Sequence, residues 1–131
     1  MLEAYRLDDL PSIWAICEDL IFSYPVSKAE SLFVCAGAKA AHIDDERHFT
    51  LRQAMPRGRS MVLWRAYFVS RNADLSGIAF GWMTVGLILG RLARALRGSG
   101  AELGYALGHL QGLGVWLWYG LTRKEIVHAL R

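Results

Sequence analysis

Gly100, Gly104, Gly108 and Gly112 recur at intervals of four inside a stretch almost free of charge. Four residues advance little more than one helical turn, so on a helix these glycines form one smooth stripe. A glycine in a helix interior costs about 1 kcal/mol relative to alanine. Close approach of a second helix backbone offsets that cost, because no side chain stands in its way. The spacing therefore predicts a tightly packed helix with a partner against Gly104, Gly108 and Gly112. A shorter pair, Gly77 and Gly81, lies on the preceding segment.

The stripe belongs to a second half unlike the first. Residues 61–131 carry eight Lys/Arg against three Asp/Glu, eleven of the thirteen glycines and four of the five tryptophans. Residues 1–60 carry seven basic and nine acidic residues. At 131 residues the chain can hold one small domain and not two complete ones. A net charge of +3 is too mild to point to a nucleic-acid partner. The N-terminal segment Met1–Asp9 lacks the basic start and apolar core of a signal peptide. Cys17 and Cys35 form no CxxC pattern and read as small buried thiols in a reducing compartment.

Leu75–Gly90 and Leu103–Leu121 are runs of sixteen and nineteen residues without a formal charge. A membrane-spanning helix needs about twenty apolar residues. The two runs predict long helices over Leu75–Leu96 and Leu103–Leu121, packed antiparallel as a membrane-associated hairpin that reverses at Gly98-Ser99-Gly100. Trp82, Trp116 and Trp118 suit a lipid interface, and Arg91, Arg94 and Arg97 are expected to reach phospholipid headgroups. Charge does not settle topology, so an interfacial or re-entrant hairpin stands beside a double span.

The first half reads as α/β. Glu18-Asp19 opens a helical stretch where acidic residues are favoured, and Pro25 should kink or shorten it. Ser31–Ala36 reads as a short strand, Gly37 as a turn, and Ala38–Ile43 as a second extended stretch that holds His42 near its end. Pro56-Arg57-Gly58-Arg59-Ser60 reads as a boundary, dividing the chain into 1–60 and 61–131. An acidic dipeptide before an apolar helix is most often a helix-start feature, and a histidine after an apolar stretch is most often structural.

The segment Trp14-Ala15-Ile16-Cys17-Glu18-Asp19-Leu20-Ile21-Phe22-Ser23-Tyr24 resembles the acidic-pair segment of family 2 glycosyltransferases. In that family a short strand, a small-residue turn and a strand ending in histidine follow, as Ser31–Cys35, Ala36–Ala38 and Ala40–His42 do here. Trp64–Asn72 is similar to an aromatic-basic segment that precedes apolar C-terminal helices in the family. The resemblance implies a C-terminal part of a GT-A-like α/β fold followed by the apolar helical hairpin, mainly α overall. It implies inverting transfer of a sugar from a nucleotide-sugar donor to a sugar or lipid-linked acceptor hydroxyl. Asp19 would be the general base and Glu18 its neighbour at the acceptor. His42 would lie near the donor diphosphate and a divalent metal, Mg or Mn, in a complete enzyme. Pro25 stands where the family usually has arginine, and Glu30-Ser31 replaces its usual glycine. Only seventeen residues precede Glu18, and the chain contains no Asp-x-Asp. The chain is therefore expected to be an acceptor-side portion, inactive alone, associated with a membrane and with its catalytic part in the cytoplasm. The alternative is a small non-catalytic membrane-associated protein that packs through its glycine-striped helix; a third reading is a soluble helical interaction module whose apolar runs are buried in a core or dimer.

Overall fold

In the computed structural model of the protein, residues 18–31, 49–122 and 126 are described, with 18–22 as backbone alone. Four helices account for the architecture: α1 (Glu18–Ala29), α2 (Leu51–Arg71), α3 (Gly77–Ala95) and α4 (Gly100–Thr122). No strand occurs among the described residues. This corrects the α/β expectation: the described chain is helical, and the mainly-α part of the reading is what holds. The segments read as strands, Ser31–Ala36 and Ala38–Ile43, fall beyond residue 31 almost entirely outside the described residues.

The largest surprise is α2. Its start is fixed by a capping box: the Gln53 N–H donates to Thr50 Oγ1 at 3.4 Å, and the Thr50 N–H donates to Gln53 Oε1 at 3.0 Å. From there the helix runs for 21 residues, straight through Pro56 and Gly58. Pro56 stands in the second turn, is exposed, and removes only one interior hydrogen bond there. The expected break at 56–60 is thus the inside of a helix.

The hairpin forms as expected. α3 and α4 are joined by a short turn in which Gly98 adopts φ of 94°, a left-handed conformation that favours glycine. Ser76 caps α3, its hydroxyl accepting from the Ala79 N–H at 3.2 Å. The two helices run antiparallel, with Arg91 beside Glu102 near the turn and Phe80 edge-on to Trp116 far from it, ring centroids 5.1 Å apart.

The glycine stripe faces a helix, as its spacing predicts, and that helix is α2. A Cβ on Gly104 or Gly108 would fall inside 3.0 Å of the carbonyl oxygen of Leu51 or Met55 respectively. One on Gly112 would meet Val62 Cβ at 2.8 Å. Gly58 returns the fit from α2, its own Cβ position lying 2.7 Å from the Tyr105 carbonyl oxygen. Positions 51, 55 and 62 of α2 meet 104, 108 and 112 of α4 in the same order, so these helices are parallel. Backbone lies on backbone along this seam. Gly77 and Gly81 have a different use: the Trp116 ring packs over both at 3.6–3.7 Å.

The core lies beyond the seam, where Val62, Leu63, Trp64, Ala66, Phe80 and Ile126 are buried with Val115 and Trp116 against them. α1 docks at the far end of α2. Tyr24 stacks edge-on to Phe68 with centroids 5.2 Å apart, and Lys28 Nζ lies 2.6 Å from Asp74 in the α2–α3 turn. Pro25 sits within α1 without ending it, and the Glu30 N–H still donates to the Val26 carbonyl at 2.8 Å.

Candidate functional site

Glu18 and Asp19 are the first two residues of α1, as the sequence predicts, in the turn where the helix dipole favours negative charge. Their side chains, and His42 altogether, lie outside the described residues. The three candidates are therefore not brought together or separated by the described structure. Among the described residues no three His, Cys, Asp or Glu side chains group around a common point.

What the structure does place is the helix that carries the acidic pair. Asp74 accepts from Lys28 Nζ and from the Tyr24 hydroxyl. The Lys28 hydrogen bond, reinforced by Tyr24, holds the Asp74 carboxyl down at about 2, against an ordinary 3.8. The same contacts push Tyr24 and Lys28 upward, first through hydrogen bonding to Asp74. Sequence reading gave no role to Asp74. Its isolation as an acidic residue between α2 and the uncharged run was the available signal.

The second feature is an apolar surface. Among the described residues, twelve of the thirteen exposed large hydrophobic side chains lie between Ile78 and Leu121. Ile78 is 77% exposed, Trp82 73% and Leu89 61% on α3. Leu103, Leu107, Leu110, Leu117, Trp118 and Leu121 continue the surface on α4. Trp82 and Trp118 take the exposed positions expected of them, while Trp116 turns inward onto Phe80. One helix, Gly77–Ala95, is long and apolar enough by length and composition to cross a membrane.

At the hairpin turn the arginines behave differently from expectation. Arg91 Nη1 donates to both Glu102 oxygens at 2.8 and 2.9 Å, and Arg94 Nε to Oε2 at 3.2 Å. The Arg91 guanidinium also lies over the Tyr105 ring, 4.6 Å from its centroid. Burial pushes the Glu102 carboxyl upward, but hydrogen bonds and charge from Arg91 and Arg94 outweigh it and hold it below the ordinary value. Two of the three arginines assigned to headgroups thus brace the turn, and Arg97 stays exposed.

His109 is the one buried histidine among the described residues, 1% exposed, on the side of α4 that faces Gly58. Its Nδ1 lies 2.6 Å from the Tyr105 carbonyl, which requires the proton on Nδ1. Burial, ahead of the charges of Arg91 and Arg65, pushes its pKa below the ordinary 6.5, although the Tyr105 carbonyl pulls upward. Sequence reading gave His109 no role; its burial follows from the close approach of α2 and α4 at Gly58.

No protein-family model, curated protein or solved structure matches the chain.

Proposed function

We propose that residues 49–122 form a membrane-associated helical unit that carries the acceptor-side helix of a sugar-transferring enzyme. The membrane part rests on one observation: twelve large hydrophobic side chains are exposed on α3 and α4 from Ile78 to Leu121, interrupted by Arg94 and Arg97 at the turn and by Gln111, in a chain whose remaining described surface shows only Leu51 as an exposed large hydrophobic residue. Soluble monomers rarely leave so many large apolar side chains together in water. Exposed tryptophans beside leucines, with arginine at one end, are the composition of a helix surface that lies against lipid.

Support for the sugar-transfer part is the order of motifs together with Glu18 and Asp19 opening a helix anchored by Asp74 to the α2–α3 turn. In this reading Asp19 takes the proton of an acceptor hydroxyl as the bond to the sugar forms, and Glu18 holds the acceptor or its loop. The nucleotide-sugar donor and its metal belong to a complete enzyme, with the catalytic part on the cytoplasmic face. In such an enzyme Asp19→Asn abolishes transfer, by about 10²–10⁴-fold, and leaves donor binding intact. Transfer within a few-fold of wild type would remove Asp19 from the chemistry. The second reading, a non-catalytic membrane protein, is favoured by the glycine seam, which uses the stripe for internal packing alone; absence of transfer with every donor half supplied would select it.

A further inference from the structure

We infer that the chain seats in the plane of a phospholipid surface, the outer side of α3 and α4 toward the acyl chains, and does not cross the bilayer. The inference rests on the membrane reading above and decides its mode. Every exposed residue of α3 from Ile78 to Ala93 is apolar, so lipid contact along that side meets no charge. By length and composition alone, α3 could equally well span. Its neighbours decide otherwise.

α4 cannot enter a bilayer without α2. Gly104, Gly108 and Gly112 seat directly on the α2 backbone between Leu51 and Val62, and Gly58 seats on that of α4. α2 has 21 residues and is about 31 Å long at 1.5 Å per residue. The hydrocarbon core is about 30 Å thick. A crossing bundle would therefore carry nearly the whole of α2 into the core, with Arg59 and Arg65 well inside it. Charged side chains at that depth are among the most strongly disfavoured groups in a membrane protein.

Lying flat removes the conflict. The glycines that hold α2 point away from Leu103, Leu107 and Leu110, so seating the leucines in lipid leaves α2 and its arginines on the water side. Arg97, exposed beside the turn, then lies at headgroup level, where a phosphate complements it. Trp82 and Trp118 lie along the same surface, each with an indole suited to the interfacial region.

The test uses sealed vesicles of mixed zwitterionic and anionic phospholipid, with the whole chain added from outside and the floated fraction collected. Trypsin is then applied to the intact vesicles, and cleavage after Arg97 is followed. In parallel, Ser99→Cys in a Cys17→Ser, Cys35→Ser background is treated with a membrane-impermeant maleimide. In-plane seating gives full labelling of position 99 and cutting after Arg97 without detergent. Protection of both until detergent is added would overturn the in-plane mode and leave membrane association standing. Failure of the wild-type chain to float would overturn the membrane reading itself.

Discussion

Adding a single methyl group to Gly108 should loosen the molecule, whereas the same change at Gly114 should tighten it. Both residues lie inside α4, where alanine is intrinsically better than glycine by about 1 kcal/mol. At Gly114 nothing lies within 4 Å of the new Cβ, so the propensity gain is kept. At Gly108 the Cβ would fall inside 3.0 Å of the Met55 carbonyl oxygen and 2.8 Å from the Arg59 amide nitrogen. Both obstacles are backbone, so no side chain can rotate away and α2 itself must shift. Overpacking of this kind costs about 1–3 kcal/mol, and the shift also loosens the flanking contacts at Gly104 and Gly112. The net expectation is a loss of about 1–2 kcal/mol for Gly108→Ala and a gain of up to about 1 kcal/mol for Gly114→Ala. Thermal unfolding in mild detergent, followed by far-ultraviolet circular dichroism, should move the midpoint several degrees down for the first and up for the second. Equal shifts of the same sign would refute the backbone-on-backbone seam, as would a Gly108→Ala variant at least as stable as wild type.

Glu102→Gln should cost about 1–3 kcal/mol, because it leaves Arg91 partly buried against Tyr105 without its carboxylate; a midpoint within a degree of wild type would deny the brace. Two acid-sensitive contributions should separate by pH. Because Asp74 is held below its ordinary value, the α1 lock is complete above 3.8 and is lost as the pH falls toward about 2, visible as release of the Tyr24 ring in proton NMR. His109 is also held low, so its contribution is complete above 6.5 and shrinks as the pH drops below that; a His109→Gln variant should lose this part of the pH dependence of unfolding.

The hairpin was legible because two long uncharged runs stand on either side of Gly98-Ser99-Gly100. The start of α1 was legible for the same kind of reason, an acidic pair before an apolar stretch. α2 was not. Pro56 and Gly58 are strong breakers in isolation, yet Pro56 falls early enough to remove one hydrogen bond, and Gly58 lets the Tyr105 backbone of α4 lie against α2. The capping box Thr50-x-x-Gln53 announced the helix more reliably than the proline denied it. A smooth glycine stripe announces that some backbone approaches and carries no label for which one; the structure supplies the partner, α2, running parallel. The arginines failed differently: their helical spacing was visible, but Glu102 lies eleven residues on from Arg91, across a turn, and pairs with it only once the hairpin closes. The acidic pair remains supported by its position alone, with its side chains beyond the described residues.

Vesicle flotation with paired charge substitutions tests whether the exposed side of α3 and α4 holds the chain on lipid. Trp82→Glu with Leu89→Glu places two carboxylates on the exposed side of α3, away from every contact that holds the bundle together. Arg52→Glu with Ser70→Glu, at exposed positions of α2, serves as the control. Wild type and control should float with the vesicles through a high-salt wash while the α3 variant stays at the bottom with unchanged helicity. An α3 variant that floats as well as wild type, or a wild-type chain released by salt alone, would contradict that attachment.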